Sequence, residues 1–181
     1  MEKIVGCKIT KVLPTILSEA NKGIALICHN RKVSAEAAEH MEALLANISK
    51  VRRIDEKDFG FASEFTSCGP GLIAAIFKEY AGAGLRHTGS FSAEDIDEML
   101  LQTLHGTAGL MLERRMGFDD VISRVATKGG ITEEGVQVIR NSLPQVFDEM
   151  FEKTMDKRIA VSEKVCREFS GYGTISCPES K

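Results

Sequence analysis

The segment Thr127-Lys128-Gly129-Gly130-Ile131-Thr132 has the composition of an anion site. Backbone N–H groups at the start of a helix lack intrahelical partners, and glycines let a bound group come close to the main chain. Glu133 and Glu134 follow directly, where carboxylates complement the positive end of a helix dipole, so a helix is predicted to start here. A carboxylate or phosphate could dock on such a loop. The same residues also read as a plain turn between helices with Thr132 as its N-cap, and spacing alone favours the turn. A second small, polar run, Thr66-Ser67-Cys68-Gly69-Pro70-Gly71, leads into an apolar helix, but such residues commonly begin helices. No base can be assigned to Cys68, which reads as a buried, inert thiol.

The elements that must position these runs fall into two classes. Residues 8–13, 23–28 and 51–54 read as strands, and Ser34 caps a helix whose apolar positions Ala37, Met41, Leu44 and Leu45 share one face. This is a β-β-α-β arrangement, and three short strands with one helix leave a sheet face largely uncovered. From about Asp58 the pattern is helical throughout. Gly69, Pro70 and Gly71 open a helix through Leu72, Ile73, Ile76, Phe77 and Tyr80 that suits a central, buried position and is expected to end in the glycine-rich 81–84. Ser92, with Asp95 three residues on, starts another, with a stripe through Ile96, Met99, Leu100, Thr103, Leu104, Leu110 and Met111 as far as Arg115. A short helix at 119–126 precedes the candidate loop. Ser142, Pro144 and Gln145 predict a fresh start for a long helix with Val146, Phe147, Met150, Phe151, Thr154, Val161 and Val165 on its buried side. Residues 170–181, rich in Gly, Ser and Pro, are expected to be a mobile tail.

Composition excludes several function classes. A net charge of -3, with both signs mixed along 181 residues and no basic block, leaves no electrostatic footprint for nucleic acid. No run approaches the ~20 apolar residues of a membrane span, and Glu2, Lys3, Lys8, Lys11 and Glu19 leave the start without the uninterrupted apolar stretch of a signal peptide. The five cysteines, Cys7, Cys28, Cys68, Cys166 and Cys177, are an odd number without paired spacing, so they read as reduced thiols in a cytoplasm. His29, His40, His87 and His105 are scattered, and no metal centre is expected; His105 reads as an ordinary packed or solvated helix residue. A strand followed by G-x-G-x-x-G is also absent, because Gly82, Gly84 and Gly89 have the wrong spacing and a helical context.

Taken in order, these pieces resemble pyrroline-5-carboxylate reductases from about Glu2 to Val165. Ile54-Asp55-Glu56-Lys57 and Thr66-Ser67-Cys68-Gly69-Pro70-Gly71 are similar to that family's V-D-E-x stretch and S-G-S-G-P-A helix opening. Gln102-Thr103-Leu104-His105-Gly106-Thr107-Ala108-Gly109-Leu110-Met111-Leu112-Glu113 is similar to Q-T-L-L-G-A-A-K-M-L-L-E. Thr127-Lys128-Gly129-Gly130-Ile131-Thr132 resembles the S-P-G-G-x-T substrate loop, the most specific of the three.

The resemblance implies an α/β remnant of a Rossmann-type domain over 1–57. An all-α dimerisation domain would follow over 58–169, a helical bundle like the C-terminal domain of 6-phosphogluconate dehydrogenases, and then the tail. It implies hydride transfer from NADPH or NADH to the C=N carbon of 1-pyrroline-5-carboxylate, giving proline, with the protein supplying orientation and carboxylate binding. Thr132 would take the catalytic position beside the imine nitrogen. Thr127, Lys128, Gly129 and Gly130 would complete the carboxylate loop, and Pro14 would lie in the turn against the nicotinamide. This chain departs from the family in places. Lys128 replaces a proline, Glu133 and Glu134 replace small or apolar residues, and Leu13-Pro14-Thr15-Ile16-Leu17 keeps only the proline of M-P-N-T-P. The expectation is therefore a truncated reductase that does not bind the dinucleotide or turn over by itself. A non-catalytic dimerising or regulatory paralogue and a small-anion binding module stand as alternatives. A homodimer or larger assembly is expected because the helices at 71–80, 92–115 and 142–165 carry more apolar surface than one chain can cover.

Overall fold

The longest apolar run of the first third, Ile24 to Cys28, is the central strand of a three-stranded sheet in the computed structural model, which describes residues 6–169. Strand β1 (Thr10–Leu13) pairs antiparallel with β2 (Gly23–His29), which pairs parallel with β3 (Ser49–Arg53). The connection from β1 to β2 is a 3-10 turn, Ile16–Ala20, capped by the Thr15 hydroxyl. Only glycine fits at position 23, since a Cβ there would lie 2.6 Å from Thr15 Cγ2. Helix α1 (Ala35–Leu45), capped by the Ser34 hydroxyl as its sequence predicts, makes the crossover from β2 to β3.

On one face of β2, Leu26 and Cys28 pack with Phe59, flanked by Leu13, Ile24, Ile54 and Ala62. Ala25 and Ile27 alternate to the opposite face and are buried as well. Ala38 is the buried residue of α1, whereas Met41 and Leu44 of its expected apolar face stay exposed, because a three-stranded sheet is too narrow to cover them. Helix α2 (Phe59–Ser63) runs through a π turn, Glu64–Cys68, into α3 (Gly69–Arg86). The structure corrects the expected end of α3, which passes through Gly82 and Gly84 to Arg86. Each glycine weakens a helix by only about 1 kcal/mol, and the good helix formers Ala81, Ala83 and Leu85 alternate with them. Nor is α3 buried within the chain, where Ile73 and Tyr80 are exposed.

Helix α4 (Ala93–Arg114) begins with the Ser92/Asp95 capping box and ends at Arg115 in the left-handed region. Helix α5 (Phe118–Val125) follows, and then α6 (Ile131–Phe169), a single helix of 39 residues. The fresh start expected at Ser142 does not occur. Pro144 lies inside α6, where it withholds one N–H from the Arg140 carbonyl, a loss outweighed by strong helix formers on both sides. The least exposed side chains of its C-terminal part are Thr154, Arg158, Ser162 and Cys166, not Val161 and Val165, which are about half exposed.

The chain divides into two compact units, one of residues up to Ala74 together with those from Lys153, the other Ala75–Glu152. Both boundaries fall within helices, in α3 and in α6. Among the described residues every buried one belongs to the first unit; between Ala75 and Glu152 none is buried. No helix among the described residues is long and apolar enough to cross a membrane. The tail expected at 170–181 lies outside the described residues, as does Cys177.

Candidate functional site

The candidate loop sits between the end of α5 and the start of α6, within the second unit. Ala126, at φ -84 and ψ 83, turns the chain out of α5, and its N–H donates to the Ile122 carbonyl at 2.7 Å. Thr127 to Gly130 then form a tight turn closed by the Gly130 N–H donating to the Thr127 carbonyl at 2.8 Å. Gly129 occupies the third position with φ +73, a conformation natural to glycine, and a Cβ on Gly130 would stand 2.6 Å from Thr127 Oγ1. The turn itself thus demands both glycines. Lys128 holds the second position, where proline fits readily in such turns; a lysine there forgoes rigidity without changing the path.

Helix α6 starts at Ile131, so Thr132 is not its N-cap but lies exposed in the first turn. The amides of Ile131, Thr132 and Glu133 are at the end of the helix where no intrahelical acceptor exists, and the macrodipole adds positive potential. Thr127, Lys128 and Gly129 are exposed too, while Gly130 and Glu133 are half-buried. The structure therefore gathers Thr127, Lys128, Gly129, Gly130 and Thr132 on one short loop. It also adds a residue that motif spacing does not mark, because Glu133 Oε2 accepts the Gly129 N–H at 2.6 Å.

Pro14 belongs to the other unit, exposed in the turn after β1. Its carbonyl accepts the Ser67 hydroxyl at 3.2 Å, which brings it beside the Thr66 to Gly71 helix opening. Cys68, expected buried, is exposed at the end of the π turn. Among the described residues Cys28 and Cys166 are the buried thiols, and burial, with Glu56 adding to it, pushes the Cys28 thiol above its usual value. His105 is exposed on α4.

Two polar clusters in the first unit escaped sequence reasoning. Glu64, fully buried, is held by Arg158 of α6, whose guanidinium is raised above its ordinary value chiefly by that hydrogen bond. Thr10 Oγ1 meets His29 Nδ1 at 2.8 Å, His29 Nε2 meets Glu42 Oε1 at 3.2 Å, and Arg53 Nε donates to the same oxygen at 2.6 Å. Burial would raise the Glu42 carboxyl, but the hydrogen bonds from Arg53 and His29 together hold it below the usual carboxylate range. This chain of contacts ties all three strands to α1. Among the described residues there is no grouping of three or more side chains fit to hold a metal ion. Nor do these residues suit a dinucleotide's phosphates, because no strand runs through a glycine turn into a helix; the β2–α1 loop is Asn30-Arg31-Lys32-Val33-Ser34.

Comparison with known proteins is consistent with this geometry. Residues 56–161 match the family model for pyrroline-5-carboxylate reductase dimerisation. Pyrroline-5-carboxylate reductase 3 of Bacillus subtilis is 44% identical over 157 residues, which cover 87% of this chain and 57% of that protein. The pyrroline-5-carboxylate reductase of Methanobrevibacter smithii is 34% identical over 139 residues, covering 74% of this chain and 55% of the relative. The chain thus spans little more than half the length of these curated relatives. A crystal structure of Plasmodium falciparum pyrroline carboxylate reductase with NADP bound superposes with a TM-score of 0.74 at 22% identity, over 83% of this chain and 59% of that one, and shares the fold. With the family model matching more than half of its residues, and with the sheet-then-helices order shared, this chain belongs to the pyrroline-5-carboxylate reductase family.

Proposed function

We propose that this chain is the substrate-holding and self-assembling part of a pyrroline-5-carboxylate reductase-type oxidoreductase, acting in the cytoplasm on a small cyclic imine that carries a carboxylate. The observation that carries this reading is the loop from Thr127 to Thr132. It lies inside the segment that matches the dimerisation family, and it sets a glycine turn against the open amides of a helix start. Such a terminus favours a carboxylate through both its unpaired N–H groups and its dipole. The Thr132 hydroxyl, in the first turn of α6 and exposed, is able to donate to or accept from a ring nitrogen held by that carboxylate. Lys128 adds a cation on a flexible stem beside it.

Imine reduction needs a hydride donor, which in this family is NADPH or NADH. The described residues lack the pyrophosphate-binding turn, so the chain is not expected to hold the dinucleotide unaided, and Pro14 alone does not supply such a site. By itself the chain is expected to bind ligand without turnover. Self-association is part of the same proposal, with residues 58–169 as the assembling domain. It is supported by the absence of any buried residue between Ala75 and Glu152 and by the family's description.

The reading is tested by melting the purified chain with L-proline, the stable, carboxylate-bearing product of that reduction. A rise in melting temperature that Thr132→Ala reduces is expected. No rise at high ligand concentration would leave the loop as structure only. Calorimetry with NADPH or NADH should show no saturable binding below ~1 mM, and tight binding would contradict the division of labour proposed here.

A further inference from the structure

The loop's central donor is already in use. Gly129 N–H donates to Glu133 Oε2 at 2.6 Å, so one amide of the glycine turn, next to the open amides of the helix start, already holds a carboxylate of the chain itself. This is not an ordinary capping box, in which the third helical residue returns to the N-cap amide. Here the Gly130 N–H is taken by the Thr127 carbonyl at 2.8 Å, and Glu133 reaches one residue further back, to the glycine with positive φ. Glu134, the adjacent carboxylate, is exposed on the helix, and its own N–H closes the first intrahelical bond to Gly130 at 3.4 Å. Two neighbouring carboxylates thus have different positions, and one of them faces the turn.

We propose that Glu133 is a built-in competitor for the substrate's carboxylate, lowering the affinity of this loop for small carboxylates. The proposal rests on reading the loop as the carboxylate site. A ligand carboxylate must displace Glu133 from Gly129 before it can take that amide. Even when displaced, Glu133 stays anchored in the first turn, where its charge opposes a second anion. Discrimination at this site is therefore tilted against anions and toward ligands with a neutral group in that place. Such a tilt would separate this chain from relatives with a small or apolar residue there, because the same turn geometry would then leave the amide open.

The test is calorimetric titration of the full chain with L-proline and with L-prolinamide, whose amide replaces the carboxylate. Glu133→Ala should raise L-proline affinity about tenfold, the scale of one charge-assisted hydrogen bond regained, with no gain for L-prolinamide. Glu133→Gln keeps an acceptor for the Gly129 N–H but removes the charge; it should give a smaller gain, and it guards against loss of the helix start. Glu134→Ala should change affinity less than about twofold, as expected for an exposed charge. Equal L-proline affinity in the parent chain and Glu133→Ala would overturn the proposal while leaving the carboxylate loop standing. An equal gain from Glu134→Ala would overturn it in favour of general charge. If no variant binds L-proline while all keep their helical circular dichroism, the carboxylate loop itself fails, and the proposal with it.

Discussion

The two units of the chain solve the problem of water exclusion in opposite ways. In the first, one strand places Ala25, Leu26, Ile27 and Cys28 out of solvent, and Phe59, Ala38 and Cys166 join them, so a small sheet with a few helical residues makes a core of its own. In the second, long amphipathic helices carry abundant apolar side chains and bury none of them. Leu101 is 64% exposed, Leu112 81% and Ile131 95%. Apolar surface on that scale, spread over consecutive helices, is what a partner covers, and it supports the self-association proposed above. The contrast teaches that the elements most readily assigned by periodicity are those least able to stand alone.

The sharpest way to break that contrast is to measure mass. Light scattering at micromolar concentration should give at least twice the 19.8 kDa of one chain. Leu101→Glu with Leu112→Glu, which lie about three turns apart on one face of α4, should reduce the mass to that of a single chain or abolish cooperative unfolding. A double variant with unchanged mass and melting temperature would show that this face needs no partner.

A smaller effect probes the first unit. Arg158→Met leaves the Glu64 carboxylate buried without its cation and should cost about 3 kcal/mol in urea unfolding, at the low end for a buried pair because Arg158 is partly exposed. Adding Glu64→Leu should recover most of that loss, since a pair of well-packed apolar side chains removes the stranded charge. If the single variant is as stable as the parent, the ion pair does not join the end of α6 to the π turn in any energetic sense.

The smallest effect is on pH. Because the folded state holds the Glu42 carboxyl below its ordinary value of 4.5, its contribution to stability is fully present above that value. It is lost as the pH falls through the folded value, where protonation breaks the contacts with Arg53 and His29. Glu42→Gln should flatten this part of the acid limb of the stability profile. An identical acid limb in the variant would assign acid sensitivity elsewhere.

The parts of the fold that were legible in the amino-acid order are those governed by neighbours along the chain. The Ser34 cap, the Ser92/Asp95 box, the strand at Gly23–His29 and the helices flanking the candidate loop depend on side chains within a few residues of one another. The Thr127 to Thr132 loop was legible for the same reason, as two glycines followed by acidic residues mark a turn entering a helix. Misreadings arose where local signals are ambiguous. Ser142 and Pro144 look like a helix start, and Gly82 and Gly84 like a stop, yet in both places the flanking helix formers outweighed the breaker.

By itself the amino-acid order determined the β-β-α-β beginning, the helical remainder, the excess of apolar surface and the glycine turn that leads into the last helix. Only the tertiary structure decided which polar groups meet. Arg158 stands on the inner side of α6 where Val161 and Val165 were expected, because Glu64, 94 positions earlier, lies buried opposite it. Glu133 turns back to accept the N–H of Gly129, the loop glycine with positive φ. Hydrophobic periodicity records how strongly each residue avoids water. The partner of a polar group depends on distance and direction in space, and those exist only once the chain has folded.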